Sequence, residues 1–291
     1  MELHQLRYIR AIARSGGFTR AAEQEGVAQP AISKQVRLLE EELGVRLFDR
    51  IGRTVKPTQA GDIAIRYAHH VLDALDDLRL ELDDVTGLAR GEVRICATET
   101  VMDYLLPAAL AELRLRHPGI RVSAEMLGTD DAVALLLQSS VDVAIVTLPL
   151  VHPDLTVEHL FTEDVVLLVP YGDPLAARAS ISLKELADRD LLLSMPGHGL
   201  RATIEAACAR IGFVPHAVLE VRSQEALIRL VERGVGLSFA PRLCVQHARR
   251  AVHICTVSDP ALQRRIGWAV RTGRHVSRAV HELVALLAPH V

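Results

Sequence analysis

The sequence predicts an α/β protein in three parts: an N-terminal winged helix-turn-helix, a long linker helix and a C-terminal domain of two α/β lobes. Three observations carry that expectation. Residues 18–43 read as two short helices around a tight turn, residues 62–86 run without Pro or Gly in a heptad pattern, and from residue 91 onward strand-like and helix-like stretches alternate.

In the first stretch, FTRAAEQEGVAQPAISKQVRLLEEEL, Ile32, Val36, Leu39 and Leu43 recur at helical spacing and form an apolar stripe, while Pro30, Ser33, Lys34 and Arg37 share another side. Pro30 suits a first helical turn, where a missing N–H costs nothing, and Gly26 with Val27 supplies the turn before it. Thr19 is placed to cap the first of the two helices. An opening helix over residues 3–14 offers Leu6, Ile9, Ile12 and Ala13 as the scaffold that holds them. In a helix-turn-helix the second helix enters the DNA major groove with its N-terminal residues at the base edges. A helical hairpin inside an ordinary core would show the same stripe, so charge has to decide. Residues 1–60 carry ten Lys/Arg and seven Asp/Glu, net positive by three in a chain that is net negative by three. Residues 47–57, LFDRIGRTVKP, place cations around a Gly-containing turn between short extended runs, as a basic wing would. The candidate groove contacts are Gln29, Pro30, Ser33, Lys34 and Arg37; Thr19, Arg50 and Arg53 are candidates for phosphates. Lys34 or Arg37 could read guanine edges and Gln29 adenine edges, with phosphate contact equally open for each.

At this point the N-terminus resembles a known family. MELHQLRYIRAIARSGGFTRAAEQEGVAQPAISKQVRLLEEELGVRLFDR followed by PTQAG is similar, nearly without gaps to about Ala60, to the DNA-binding segment of the LysR family of bacterial transcriptional regulators. The combination of AA, AQPAISKQ, LEEELG and LFDR carries the likeness; Pro57 departs from it, standing where the family usually has an aliphatic residue. The resemblance implies a regulator that binds double-stranded DNA and a small-molecule effector, with RNA polymerase as a further candidate partner. It also implies a C-terminal fold similar to that of periplasmic solute-binding proteins.

Length and composition are consistent with this. At 291 residues and 49% hydrophobic, the chain can build two or three domains, and with 3% aromatic residues their cores must come from Leu, Val, Ile and Ala. Cys96, Cys208, Cys244 and Cys255 show no disulfide spacing, and neither a leader nor a membrane-length apolar run is apparent, so a cytoplasmic protein with reduced thiols and no membrane partner is expected.

From Thr58, a capping residue, the linker helix carries Ala64, Ala68, Val71, Leu75, Leu78, Leu82 and Val85 at alternating four- and three-residue steps. A helix of about 45 Å with no neighbouring segment to cover it predicts pairing with a second copy, as a homodimer or homotetramer, through Ala68, Val71, Leu75, Leu78 and Leu82. Its acidic residues, Asp73, Asp76, Asp77, Glu81, Asp83 and Asp84, read as a solvated face. His69 and His70 are adjacent, so they point apart and suggest no metal site. The expected boundaries are residues 1–58 for the DNA-binding domain, 59–87 for the linker and 91–291 for the effector domain, with a hinge at 87–91. Its first lobe should span about 91–161 and 267–291, the second about 162–266.

Within the effector domain, strands are expected at 93–97, 122–126, 141–146, 165–169, 191–194, 218–221, 237–240 and 263–270. Helices are expected at 101–115 and 129–138, after the capping box Ser182-Leu183-Lys184-Glu185, after Leu200, from the Ser223 cap to Gly234, and from Val276. Ligand groups belong at strand-to-helix junctions, which here carry Thr98-Glu99-Thr100, Leu127-Gly128-Thr129, Thr147 and the run PGHGLR at 196–201. Thr98, Thr100, Thr129, Thr147, His198 and Arg201 are therefore the candidate effector contacts, and the resemblance places Thr98, Thr100 and Thr147 where family members touch inducers. Helix capping is the plain alternative for each Thr, and a surface ion pair for Arg201. A carboxylate or other small anion is the candidate effector class. Glu99 weighs against a strongly anionic pocket, and Gly199, where some relatives have a hydroxyl, against a sulfate-like ligand.

Cys244, His247, His253 and Cys255 have a spacing that could hold zinc, but an apolar core absorbs such cysteines, and no metal site is expected. Cys208, in IEAACARIG, is the single cysteine in the region where some LysR-type proteins sense peroxide through a pair, so it reads as a structural thiol rather than a redox switch. With no GxSxG elbow, HExxH helix or phosphate-binding glycine loop, the chain is expected to be neither an enzyme nor a cofactor protein. The competing non-enzymatic readings are a redox- or metal-responsive regulator of the same architecture and a solute receptor without DNA function.

Overall fold

The computed structural model describes residues 1–51, 54–86, 90–246, 251–259 and 262–288. Contacts divide the chain into two units, Met1–Val85 and Thr86–Val291.

In the first unit, α1 (Leu3–Ser15) begins in a capping box between Glu2 and Gln5 and ends at Gly16, whose left-handed backbone a glycine adopts without strain. Helix α2 spans Phe18–Gln24 and α3 spans Gln29–Leu43, with Gly26 at φ +67° making the turn between them. Ile32, Val36 and Leu39 are buried against Leu6, Ile9, Ile12, Ala21 and Ala22, which is why α3 can present its other side outward. Leu43, expected to continue the stripe, is exposed at the helix end. Thr19 does not cap α2: the cap is Gly17, so Thr19 lies inside the first turn and faces solvent. Next comes the hairpin of β1 (Phe48–Ile51) and β2 (Thr54–Pro57), antiparallel in register from Phe48 opposite Pro57 to Ile51 opposite Thr54. Arg53 lies outside the described residues, as do the hinge residues 87–89.

Helix α4 (Gln59–Thr86) is capped by Thr58, whose Oγ1 accepts the Gly61 N–H at 3.0 Å and donates to the Arg46 carbonyl at 2.7 Å. The start of α4 is pressed against the wing, because the Leu47 carbonyl accepts the Thr58 N–H at 2.9 Å and sits where a Cβ on Gly61 would come within 1.9 Å of it. Ala60, Ala64, Ile65, Ala68 and Leu72 then pack into the core of the same unit. Ala68 is fully buried there, which corrects its assignment to an intermolecular seam, and it is why contacts join the linker helix to the DNA-binding head rather than dividing at residue 58. Val71, Leu78 and Leu82 are exposed and Leu75 is partly buried. Asp73 is buried rather than solvated; it faces Arg10, whose pKa is lowered by burial against the opposing pull of Asp73 and Asp76.

In the second unit, the first lobe is built on β3 (Arg90–Ala97), β4 (Gly119–Met126), β5 (Val143–Leu148), β6 (Leu155–Pro170) and β12 (Gln263–Arg271), in the order β4-β3-β5-β12-β6. Strand β3 pairs in parallel with β4 and β5, while β12 runs antiparallel to β5 and to residues Leu155–Asp164 of β6. The rest of β6 belongs to the second lobe, where it pairs antiparallel with β10 (Leu237–Pro241) and with β11 (Val252–Asp259). Beyond β10 follow β8 (Leu191–Ser194) and β9 (Ala217–Val221) in parallel, and β7 (Ser180–Ser182) lies beside β11. Strand β6 is therefore far longer than its expected 165–169, and the crossing between lobes falls within it. The lobe boundary on β12 also shifts, since that strand pairs with the first lobe from Gln263 rather than from residue 267.

Helices cover both faces. The stretch expected as one helix over 101–115 is two, α5 (Glu99–Tyr104) and α6 (Leu106–Arg116), broken at Leu105 ahead of Pro107. With α11 (Arg278–Leu287) they bury Val101, Leu106, Ala109, Leu113, Leu283 and Leu287 on one face of the first sheet; α7 (Thr129–Leu137) covers the other. The second lobe has α8 (Gly199–Arg210) on one face and α9 (Gln224–Glu232) with the short α10 (Leu243–Gln246) on the other. Ser182 and Glu185 do form a capping box, but the helix it starts is a single 3-10 turn, Leu183–Leu186, with Leu183 and Leu186 buried. Gly61→Ala should lower the unfolding free energy of the N-terminal unit by about 2–3 kcal/mol, because the added methyl meets a backbone carbonyl that must shift. Denaturant melts followed by far-UV dichroism would show it, and a wild-type midpoint would contradict the packing.

Candidate nucleic-acid interface and effector cleft

Two places in the chain gather functional groups, one in each unit. On α3, Pro30, Lys34 and Arg37 are exposed, and Gln29 and Ser33 are partly buried. Burial of Ile32, Val36 and Leu39 fixes this orientation, since positions three and four apart share a face. Arg37 Nε reaches Glu41 at 2.8 Å, an exposed i,i+4 pair that orients the guanidinium without removing it from solvent. A groove of about 940 Å3 runs between α3 and the wing, lined by Ser33, Arg37, Glu40, Glu41, Arg46 and Asp49 among others. Glu40 is not a free charge in that groove: its Oε1 accepts the N–H groups of Leu47 at 2.7 Å and Phe48 at 3.3 Å and so holds the wing in place. The two cations of α3, Lys34 and Arg37, lie near its middle, whereas Glu40, Glu41 and Glu42 occupy its C-terminal end. Arg46 and Lys56 are exposed beside the wing and were not among the expected contacts; their signal in the sequence was only proximity to it. Of Arg50, only the backbone, in β1, is described.

In the second unit the expected effector residues divide. Thr98 caps α5 by position, yet its Oγ1 is buried and has no hydrogen-bond partner among the described residues. Thr100, one helical position away from the end, is buried, and its hydroxyl oxygen accepts from Arg264 Nη2; this corrects its assignment as an effector contact, because Arg264 already holds it. Arg264 in turn pairs with Glu163, Nε to Oε1 at 2.7 Å, both side chains being buried. Thr129 Oγ1 accepts the Thr147 N–H at 3.2 Å and so positions Thr147, itself buried, at the end of β5. His198 is the partly buried N-cap residue of α8. Next to it, Gly199 approaches Thr147 so closely that a Cβ would come within 2.5 Å of Oγ1.

Arg201 is corrected outright. Its guanidinium is buried, donating to Glu205 at 2.5 Å, to Glu220 at 3.0 Å and to the Ser194 carbonyl at 3.1 Å, which leaves it tying α8 to β8 and β9 rather than clamping a ligand carboxylate. Ser194, at the end of β8, was missed: its buried Oγ has no partner among the described residues, as for Thr98. A lone Ser at a strand end gives no sequence signal that separates it from a capping residue.

The thiols are not poised for redox chemistry. Burial pushes Cys96 up to about 12 and Cys208 up to about 11, with Glu125 and Glu205 respectively adding to the effect. Cys244 is also raised by burial, against the opposing pull of Arg264. Cys255 Sγ donates to the Arg178 carbonyl at 2.9 Å, the same oxygen that His253 Nε2 meets at 2.8 Å, so the two residues of β11 whose spacing could have suited zinc share a structural partner instead. His247 lies outside the described residues.

Residues 3–62 match the family model for bacterial regulatory helix-turn-helix proteins of the lysR family, and residues 86–291 match the model for the LysR substrate binding domain. The chain belongs to the LysR family. It is a DNA-binding transcriptional regulator with a C-terminal effector-binding domain. Similar proteins include a RuBisCO operon transcriptional regulator of Allochromatium vinosum, 30% identical, with 96% of this chain and 93% of that protein covered. Another is a probable hydrogen peroxide-inducible genes activator of Streptomyces viridosporus, 33% identical, with 98% and 93% covered. Among solved structures, a full-length OxyR variant from Pseudomonas aeruginosa superposes with a TM-score of 0.81 at 30% identity, covering 99% of this chain and 94% of that one. Among the described residues of this LysR-family chain, no helix is long and apolar enough to cross a membrane.

Proposed function

We propose that this LysR-family regulator reads duplex DNA with the N-terminal half of α3 and reports a small polar effector held between the lobes of its second unit. The observation that carries the first part is the division of α3 into a buried stripe of Ile32, Val36 and Leu39 and an exposed side bearing Pro30, Lys34 and Arg37. Gln29 and Ser33 complete the groove face; the exposed Thr19 and Arg46 are candidates for phosphates, together with Arg50 and with Arg53, which lies outside the described residues. A bacterial regulator of this kind works in the cytoplasm, uses no cofactor and performs no catalysis.

Assembly supports the same reading. Leu78 and Leu82 are 53% and 56% exposed, and Ile63, Tyr67 and Val71 continue the uncovered apolar face toward a groove of about 330 Å3 lined by Met1, Leu43 and Val45. A second copy of this chain is the occupant that fits a helical stripe of this length, giving a homodimer or a homotetramer that presents two heads to an inverted-repeat site.

For the effector, Thr98, Thr129, Thr147 and His198, with Ser194 added and Thr100 and Arg201 removed, supply hydroxyl and imidazole groups at the junctions that follow β3, β4, β5 and β8. The buried hydroxyls of Thr98 and Ser194, without partners among the described residues, favour a ligand that brings its own hydrogen-bonding groups, with small carboxylates the first class to test. The raised thiols weigh against a peroxide-sensing variant of this mechanism.

Each part has its own test. In salt titrations on duplex from the chain's own upstream region, Lys34→Ala/Arg37→Ala should weaken binding and flatten the salt slope by about one unit per lost phosphate contact; wild-type affinity would refute the face. Leu78→Lys/Leu82→Lys should sediment as a smaller species than wild type, and an unchanged mass would place the seam elsewhere. In a thermal-shift screen of small carboxylates and inorganic anions, a stabilising ligand should lose most of its shift in Thr98→Val. A shift that ignores Thr98 would remove it from the site.

A further inference from the structure

The first turn of α5 belongs to one lobe and the start of α9 to the other, and a single carboxylate joins them. Glu99 Oε1 accepts hydrogen bonds from Ser223 Oγ at 3.0 Å and from the Gln224 N–H at 2.9 Å, and Oε2 lies 3.1 Å from the same amide. Ser223 is the N-cap of α9, its Oγ accepting the Ala226 N–H at 3.4 Å, so the cap passes directly to the carboxylate of the opposite lobe. Gln224 is fixed from below, its buried side chain donating to the Phe239 carbonyl of β10 at 3.0 Å. Tyr104, at the far end of α5, donates to Glu225 Oε2 at 3.4 Å and packs against the cores of both lobes. A negative group at a helix N-terminus is favoured by the dipole and by the free amides, and a charge-assisted bond outweighs a neutral one.

Ordinary capping does not require this arrangement. Ser223 takes up only the Ala226 N–H from within its own chain segment, and the Gln224 N–H is taken by Glu99, which comes from 125 residues away and from the other lobe. It also sits beside Thr98, the hydroxyl assigned to the effector. We propose that Glu99 is a latch that holds the two lobes together, and that an effector seated on Thr98 acts by breaking its bonds to α9. The inference rests on placing the effector in the cleft, but the latch itself is tested without any ligand.

The experiment compares the full wild-type chain with Glu99→Gln and Glu99→Ala, by amide hydrogen exchange and by nuclease footprinting on duplex from its own upstream region. Glu99→Ala should speed exchange at the Gln224 amide by about tenfold or more, with Glu99→Gln in between, while Ile95 in the β3 core is unchanged. The ligand-free footprint should change in the same order. Unchanged exchange at Gln224 would show that the bond does not form in solution. Faster exchange with a wild-type footprint would reduce Glu99 to a cap. If Glu99→Ala does not fold, Ser223→Ala removes one donor and is read by the same two measurements. A failed ligand screen at Thr98 leaves both measurements intact, so loss of the cleft assignment and loss of the latch are separate results.

Discussion

The effector domain depends on one buried ion pair, Arg264 with Glu163. The two residues are direct cross-strand partners on β12 and β6, and both side chains are withdrawn from water. Desolvating two charges costs several kcal/mol each, which Glu163 Oε1 offsets by meeting both Nε and Nη2 of Arg264, with a further bond from Arg264 to Thr100; Glu163 Oε2 is buried without a partner among the described residues. Its effect is on register. A one-residue slip of β12 against β6 would turn Arg264 toward the apolar face of the sheet and leave Glu163 buried without a counter-ion. Two residues past Glu163, β6 begins to pair with β10, so the pair pins the two strands at the passage from one lobe to the other. Through Thr100 the same guanidinium also reaches the first turn of α5, linking the crossing strands to the helix that carries Glu99.

Helix α4 shows a different economy of burial. A heptad repeat describes where apolar residues fall on a helix but not which neighbour takes them. The N-terminal part of the stripe, Ala64 and Ala68, packs under α1 and α3, while Leu78 and Leu82 remain uncovered. A sequence pattern with one period is thus divided between folding and an uncovered face that is proposed for association. Buried Asp73 belongs to the folding part, facing the partly buried Arg10.

Much of this architecture was legible in the residues. The apolar stripe of α3, the Thr58 cap, the Ser223 cap and the alternation of strands and helices follow from periodicity and turn chemistry, which are local. What escaped is non-local. The break between α5 and α6 depends on Pro107 outweighing a continuous apolar pattern, and the full length of β6 depends on pairing with β12, about a hundred residues later. The candidate effector residues follow from their strand-to-helix junctions but cannot be sorted from sequence, because the partners that occupy Arg201 and Thr100 lie on other elements. Glu99 was noted as a charge at the cleft, but its meaning lay in an amide at residue 224.

Gly199 has a consequence for how closely the lobes can meet. Its α-carbon rests against Thr147, and the space a side chain would need is already filled by that threonine's hydroxyl and methyl. Hydrogen at this position acts as the thinnest spacer a polypeptide can offer, so the first turn of α8 comes to rest on β5 itself. Relatives carrying a bulkier residue there would stop short of this contact, and a single position could set how wide the crevice stands at rest and thereby the size of molecule it admits.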